Sequence, residues 1–314
     1  MHIIVTGGAG FIGGHTIRAL LARSHRVTAV DDLSHGKREN VPPAADLAVL
    51  DVRAPAFLDL VAQRKPDALL HLAAQMDVRR SVADPLFDAS VNVLGTVNAL
   101  EACARAGVKR FVFASSGGAV YGEQEHFPAR ETHPRRPASP YGTSKLCGEI
   151  YLEHYGLTRG ISGLALRYAN VYGPGQDAHG EAGVVAIFLG KMLGGGTPVI
   201  NGDGKQTRDY VHVEDVARIN ALALEADARG ALNVGTGVET SVNRLAAMLG
   251  TEAGYSRPLE HGSAKAGEQL RSSVDAARAR AELGWSPAIE LEEGVRSTTA
   301  WFRRALAGGG APRP

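Results

Sequence analysis

Short apolar runs alternate with longer segments of helical periodicity over the first 170 residues of the chain. Continuously apolar runs predict strands, and apolar positions that recur every three or four residues predict helices. Such alternation is typical of a parallel sheet with helices on both faces, so we predict a doubly wound α/β fold. The predicted strands lie at 2–6, 26–31, 47–52, 68–74, 110–115 and 163–169. One predicted helix follows the first strand and ends near residue 23, and two others span 85–106 and 141–157.

The alternation breaks down after residue 170. Residues 173–183 and 194–204 are rich in glycine, and short predicted strands at 198–201 and 232–235 flank a predicted helix at 213–226. Glycine and proline dominate the last seven residues, where the chain is expected to fray. We therefore predict a doubly wound domain at 1–170, whose sheet later segments complete, a smaller α/β lobe at 171–307 and a flexible tail at 308–314.

Composition narrows the class of protein. With 44% hydrophobic and 21% charged residues in 314, the chain is globular rather than disordered. Its net charge of +1 gives no basic footprint for nucleic acid. No apolar run is long enough for a membrane span, no signal peptide is recognised, and the 11 histidines lack the spacing of metal ligands. Two cysteines are too few for a disulfide framework, so a cytoplasmic protein is expected. Because the histidines lack ligand spacing, no bound metal is expected.

A glycine-rich turn follows the first predicted strand and opens the first helix. Residues 6–13 read TGGAGFIG, with Gly7, Gly10 and Gly13 three residues apart and Phe11 and Ile12 between them. In a dinucleotide-binding turn such glycines allow the tight turn, the approach of the pyrophosphate and close helix packing. A flexible turn is the alternative, but the strand–turn–helix context favours a dinucleotide site.

Acidic and small residues end the neighbouring strands. Asp31 follows Gly13 by 18 residues, near the spacing of about 20 at which this motif places a carboxylate on the adenosine ribose. A carboxylate there repels a 2′-phosphate, so we predict NAD rather than NADP. A solvated turn is the alternative for Asp31 and Asp32. Further contacts to the cofactor are predicted from Asp51, Val52, Leu72, Ala73, Ala74 and Gln75.

A tyrosine and a lysine stand four residues apart on the predicted helix at 141–157. Tyr141 and Lys145 therefore project from one helix face, where the ammonium favours the phenolate and the phenolate can act as a general base. A solvent-facing tyrosine over a lysine stem is the alternative. Ser115 and Ser116 end the strand before this helix, at the edge where such sheets bind ligands. We favour Ser116 over Ser115 as the hydroxyl that bonds the reacting oxygen.

Together with the run RYANVYGP at 167–174, these motifs resemble the extended short-chain dehydrogenase/reductase family from Met1 to about Trp285. Within that family the chain is most similar to nucleotide-sugar epimerases of the UDP-glucose 4-epimerase type. The resemblance implies a Rossmann fold, a non-dissociating NAD in the first domain and a UDP-sugar held by the second lobe. It also implies a homodimer in which the helices predicted at 85–106 and 141–157 form a four-helix bundle.

The resemblance implies a role for each motif. Tyr141 would take the proton of the sugar 4-hydroxyl as hydride leaves C4, and the 4-keto sugar would turn over before hydride returns. Lys145 would bond the nicotinamide ribose, Ser116 would bridge to the reacting hydroxyl, and Tyr168 would lie beside the nicotinamide. Asn92 and Ser115 would complete the cofactor contacts. The implied contacts to the UDP-sugar are Asn170, Val184, Arg208, Lys265, Glu268 and Ser272.

Two departures from the family pattern and one absent carboxylate bear on the substrate and the reaction. Lys265 and Glu268 stand where the family often has Arg-x-Gly-Asp, and lysine cannot form a bidentate fork. Ser272 stands where some epimerases carry a tyrosine, so an N-acetylhexosamine is open beside glucose and glucuronate. The turn at 117–119 has no carboxylate, which disfavours the related dehydratases and decarboxylases. A keto-sugar reductase and a non-catalytic NAD sensor are further alternatives.

Overall fold

A parallel sheet forms the centre of the molecule. The computed structural model describes residues 1–177, 183–264 and 269–307, so Lys265, Glu268 and the predicted tail lie outside the described residues. In chain order the strands are β1 His2–Thr6, β2 Arg26–Asp31, β3 Asp46–Val49, β4 Ala68–His71, β5 Arg110–Ser116, β6 Ser162–Tyr168, β7 Asn170–Tyr172, β8 Val199–Asn201, β9 Thr207–His212, β10 Gly230–Val234, β11 Glu239–Ser241 and β12 Glu260–Gly262.

The helices connect and cover these strands. A 3₁₀ turn lies at Arg38–Asn40, and a π-helical segment lies at Ser90–Leu94. The α-helices are α1 Phe11–Ala22, α2 Pro55–Arg64, α3 Val78–Ala83, α4 Pro85–Ala89, α5 Gly95–Ala106, α6 Pro140–Arg159, α7 Val184–Leu193, α8 Val213–Glu225, α9 Val242–Ala253, α10 Ala277–Leu283 and α11 Leu291–Ala307.

The central sheet has seven parallel strands in the order β10-β6-β5-β4-β1-β2-β3. Successive residues of β1 enter opposite cores, as the two-residue period of a strand requires. Ile3 and Val5 belong to the core under α1 and α8, whereas Ile4 belongs to the core under α2 and α5. Helices therefore cover both faces, and the predicted doubly wound fold is confirmed.

The chain after residue 170 contributes to both parts of the molecule. α8 and β10 join the core of the central sheet, as the predicted completion of the sheet requires. α7, α9 and α11 pack around a separate core beside the small sheet β11-β9-β7. The boundary at residue 170 stays an interpretation, because elements on its far side belong to the first core.

Three predicted elements differ from the structure. The predicted strands at 47–52 and 68–74 end earlier, at Val49 and His71. After β3 the chain turns, because the Asp51 carboxylate accepts a hydrogen bond from the Arg53 backbone N–H at 2.8 Å. The predicted continuous helix at 85–106 is interrupted by the π-helical segment. There the wider backbone turn carries Asn92 into a buried position.

Candidate active site

A cavity of about 420 Å³ opens at the carboxyl edge of the central sheet, a volume within the usual range for small-molecule sites. Seventeen of the predicted cofactor residues line it, and the chain therefore brings together side chains that lie up to 161 positions apart in sequence (Tyr168 minus Gly7). They are Gly7, Gly10, Phe11, Ile12, Gly13, Asp31, Asp32, Asp51, Val52, Leu72, Ala73, Ala74, Gln75, Ser115, Tyr141, Lys145 and Tyr168.

The glycine-rich turn leaves no room for side chains. Gly7 has φ +67°, and a Cβ there would lie 2.7 Å from the Ala73 backbone nitrogen. A Cβ on Gly13 would overlap the Gly7 carbonyl oxygen. Gly10 begins α1 without a side-chain cap, and the first turn of α1 borders the cavity. Free N–H groups and the positive end of the helix dipole thus face a space that fits a pyrophosphate.

The two carboxylates at the far end of the cavity are held by hydrogen bonds. Asp31 is buried and accepts backbone N–H groups from Ala9 at 3.0 Å and Leu33 at 2.9 Å. Burial raises the pKa of Asp31 above its ordinary value. Asp51 pairs with Arg53 at 2.6 Å, and hydrogen bonds from that guanidinium lower the pKa of Asp51. Both groups are placed to accept hydrogen bonds from a nucleoside.

Asn92 does not line the cavity, although it was predicted among the cofactor contacts. Its amide accepts a hydrogen bond from the Gln75 backbone N–H and donates one to the Gln75 carbonyl, both at 2.8 Å. It also donates to the buried Asp88 carboxylate. Asn92 therefore acts through Gln75, which does line the cavity.

Fourteen lining residues were not predicted from the sequence. Several come from the loop after β2, and Lys37 of that loop pairs with Asp177 at 3.4 Å, which joins it to the loop after β7. A Cβ on Gly36 would collide with the Asp31 carboxylate, a constraint that only the structure reveals. The full set is Ser34, His35, Gly36, Lys37, Asn40, Leu50, Arg53, Met76, Arg80, Phe87, Val91, Ala114, Gly175 and Asp177.

Lys145 and Tyr141 lie on one face of α6, with the ammonium 5.8 Å from the centre of the tyrosine ring. The Lys145 ammonium is buried and donates a hydrogen bond to the Ala114 carbonyl at 2.9 Å. Burial lowers the pKa of Lys145 to about 8, against the opposing effect of the Asp88 carboxylate. The Tyr141 backbone N–H is held by the Ser81 hydroxyl at 3.2 Å. The pair therefore stands at the end of β5 inside the cavity.

The two serines at the end of β5 have different surroundings. The buried Ser115 hydroxyl donates to the Glu149 carboxylate at 2.5 Å, so it is directed into the interior. Ser116 lies beside Asn170 and Ser272, whose side-chain oxygens are within 4.0 Å of the point where a Cβ on Gly118 would stand, as is the Ser116 oxygen. Ser115 borders the 420 Å³ cavity and Ser116 does not, so the preference for Ser116 as the hydroxyl that meets a substrate stays a prediction.

The remaining predicted residues lie on several elements. The Tyr168 ring lines the cavity, and its hydroxyl donates to the Asn220 side chain at 2.6 Å. Arg208 is on β9, half-buried, and donates to the Thr207 carbonyl. Val184 begins α7 and packs against the second core. The 420 Å³ cavity is bordered by Tyr141 but not by the other predicted substrate residues that the structure describes, so their contacts to the UDP-sugar stay predictions. These are Ser116, Asn170, Val184, Arg208 and Ser272.

The described part of the chain contains neither a metal-ligand cluster nor a membrane-spanning helix. In residues 1–177, 183–264 and 269–307, no three or more His, Cys, Asp or Glu side chains are grouped to hold a metal ion. Within the same ranges, no helix has the length and apolar character needed to cross a membrane.

A doubly wound sheet with a glycine-rich turn at α1 and a carboxylate at the end of β2 defines a dinucleotide-binding protein. Residues 3–235 match the NAD dependent epimerase/dehydratase family. The UDP-glucose 4-epimerase of Mycolicibacterium smegmatis is 44% identical over 311 residues, which cover 96% of this chain and 99% of that protein. The chain therefore belongs to the NAD dependent epimerase/dehydratase family, and its cofactor is NAD.

Solved structures agree with this assignment. UDP-glucose 4-epimerase with UDP-glucose from Thermotoga maritima is 43% identical, with a TM-score of 0.95 and coverage of 98% of this chain and 100% of that chain. UDP-glucose 4-epimerase from Thermus thermophilus, in complex with NAD, is also 43% identical, with a TM-score of 0.92 and coverage of 97% and 100%. The resemblance inferred from the motifs is thus confirmed over nearly the whole chain.

Proposed function

We propose that this chain interconverts a UDP-hexose with its 4-epimer, with Tyr141, Lys145 and Ser116 as the catalytic residues. The observation that best supports this proposal is that Tyr141 and Lys145 lie together on α6 and both line the cofactor cavity at the end of β5. The turn after β5 reads Gly117-Gly118-Ala119 and offers no carboxylate, which favours epimerisation over elimination. The substrates are UDP-glucose and UDP-galactose, and the small Ser272 supports the N-acetylated pair as well.

Each of these residues has its own role in binding or in proton transfer. The glycine-rich turn would admit the pyrophosphate and Asp31 would accept the ribose hydroxyls. Bound NAD would supply the acceptor of the C4 hydride and then its donor. Tyr141 takes the proton of the sugar 4-hydroxyl and later gives it back. The Lys145 ammonium stabilises the Tyr141 phenolate, and the Ser116 hydroxyl hydrogen-bonds the reacting oxygen.

Purified protein without added NAD is expected to interconvert UDP-galactose and UDP-glucose. The assay separates the 4-epimers by chromatography and is repeated with UDP-N-acetylgalactosamine and UDP-glucuronate to rank the sugars. Tyr141→Phe, which keeps the ring but removes the base, is expected to lower the rate by roughly 10²–10⁴-fold, the usual contribution of a general base. Wild-type protein that turns over none of these sugars, even with NAD added, would contradict the proposal.

We further propose a cytoplasmic homodimer in which α4, α5 and α6 meet their counterparts. Free cysteines support the location. For the dimer, Leu86 is 83% exposed on α4, Leu94 is 62% exposed beside α5, and Ile150 is 52% exposed on α6. Large exposed apolar residues on adjacent helices mark an interaction surface.

The dimer predicts a solution mass of twice the 33.0 kDa chain at micromolar concentration. Leu94→Glu should shift that mass to the monomer, because two carboxylates would enter an apolar interface. Leu306→Glu, at a residue 54% exposed on α11, is the matched control and should stay dimeric. Sedimentation of wild-type protein as a monomer would rule the dimer out.

A further inference from the structure

Two adjacent glycines follow β5, and the fold needs only the first of them. A Cβ on Gly117 would lie 2.9 Å from a Val274 methyl group and 3.1 Å from the Arg167 carbonyl oxygen, and both distances are shorter than an ordinary van der Waals contact. Gly117 is therefore fixed by packing against β6 and the segment after β12.

Gly118 has no such constraint. Its φ is outside the left-handed region that favours glycine. A Cβ there would meet its nearest neighbours at 3.8–4.0 Å, which is ordinary van der Waals contact. Where the backbone and the space allow alanine, glycine is the less stable choice, because it has more conformations to lose on folding. The presence of glycine at 118 calls for a reason other than folding.

The three nearest neighbours of that missing Cβ are all polar side-chain oxygens. They are Asn170 Oδ1 at 3.8 Å and the hydroxyl oxygens of Ser116 and Ser272, both at 4.0 Å. The oxygens come from β5, β7 and the segment after β12, and they surround one space with room for a methyl group, the gap over Gly118. The gap over Gly118 lies beside Ser116, the group proposed to hold the reacting hydroxyl.

Epimerisation requires free space beside the reacting sugar. Hydride leaves one face of C4 and returns to the other, so the 4-keto sugar must turn within the closed site. A turning ring needs free volume, and its hydroxyls need new hydrogen-bond partners as the old ones are lost, because unpaired polar groups are unfavourable away from water. A side chain at 118 would fill the space between the three oxygens.

We propose that Gly118 keeps open the space in which the 4-keto sugar turns, with the Ser116, Asn170 and Ser272 oxygens as successive partners of its hydroxyls. This inference rests on the proposed function and adds a positioning residue to it. A methyl group at 118 should obstruct the turn more than it obstructs binding or the first removal of hydride.

The test compares Gly118→Ala with wild-type protein in four measurements. Interconversion of UDP-galactose should fall by at least about tenfold, which corresponds to ~1.4 kcal/mol on the barrier. The Kd for UDP-galactose, from calorimetry, should change less than about threefold. The reduced fraction of bound cofactor, from near-ultraviolet absorbance during turnover, should rise, because hydride is removed but returned slowly. The Tm should be equal or higher.

Gly250→Ala in α9 is the matched control, since a Cβ there would meet the Tyr255 carbonyl oxygen at 3.7 Å in the second core. It should leave interconversion, Kd and reduced fraction as in wild-type protein. Unchanged interconversion in Gly118→Ala, or a parallel loss of binding, would overturn the inference and leave the proposed function standing. A lowered Tm would overturn its premise. Wild-type protein that neither reduces its cofactor nor interconverts the sugar would instead refute the proposed function.

Discussion

Lys145→Met should leave the protein almost without turnover and make it harder to unfold. Turnover falls because Tyr141 loses the ammonium that favours its phenolate, and a loss of at least about 10²-fold is expected from a general base left unsupported. Stability rises because the native chain holds a charged amine in a buried position, where burial lowers its pKa to about 8. Methionine of similar length has no such charge to bury.

The pH dependence of the stability gain follows from the two pKa values of Lys145. In the unfolded chain its ordinary pKa is 10.5, and in the folded chain it is about 8. Between these values the unfolded state binds more protons, so wild-type stability rises with pH. The gain from Lys145→Met is therefore full below pH 8 and disappears above pH 10.5. Its size is about 1–3 kcal/mol, since each pKa unit is worth ~1.4 kcal/mol and the Ala114 carbonyl loses its partner.

Urea unfolding at pH 7 and pH 10.5, after the NAD has been removed from the purified protein, measures this effect. Lys109→Met, at an exposed lysine just before β5, is the matched control and should change stability little at either pH. A Lys145→Met protein that is less stable than wild type at pH 7, or whose gain persists at high pH, would contradict the argument. The expected result, a variant that is more stable and less active than wild type, would show that activity at this site is kept at the expense of stability.

Local pattern was sufficient to predict most of the fold and seventeen of the residues that line the cavity. Apolar runs predicted the strands of the central sheet, since buried parallel strands are apolar throughout. Gly7, Gly13 and Asp31 were found because each has a fixed place in a turn of known geometry. Such signals depend on residues close together in the sequence.

The rest depends on contacts that join distant segments. Asn92 was predicted among the cofactor contacts, but the π-helical segment turns it toward Gln75, and periodicity cannot reveal such a segment. Lys37 and Asp177 meet from loops 140 positions apart (177 minus 37), with no pattern to connect them. Glu149, on α6, accepts a hydrogen bond from the Ser115 hydroxyl, and no local pattern reveals that contact.

Substitution of Glu149 is expected to have the second large effect, a loss of stability, because Glu149 forms a buried ion pair behind the active site. Its carboxylate accepts two hydrogen bonds from Arg167, at 2.9 and 2.7 Å, and the two side chains are only 5% and 3% exposed. Burial alone would lower the pKa of Arg167, but hydrogen bonds and charge from Glu149 raise it above its ordinary value. The pair ties α6, which carries Tyr141 and Lys145, to β6.

Glu149→Gln should therefore lower the free energy of unfolding by about 3–5 kcal/mol, because a buried Arg167 charge is left without its counterion. Stabilities of about 5–15 kcal/mol are typical, so about a third of the total is at risk. Urea unfolding at pH 7 measures the loss. Glu282→Gln is the matched control, since it breaks an exposed pair with Arg278 at 2.7 Å and should cost less than about 0.5 kcal/mol.

The double variant Glu149→Met with Arg167→Met separates two accounts of the pair. If the cost of Glu149→Gln comes from the stranded charge, removing both charges should restore most of the lost stability, since apolar replacements of buried ion pairs are often neutral. If it comes from the hydrogen bonds to Ser115 and Tyr121 instead, the double variant should be no more stable than the single one. We expect restoration of stability, together with slower turnover, because Ser115 and the end of β5 then lose the contact that fixes them against α6. A single Glu149→Gln substitution as mild as Glu282→Gln would contradict the whole argument.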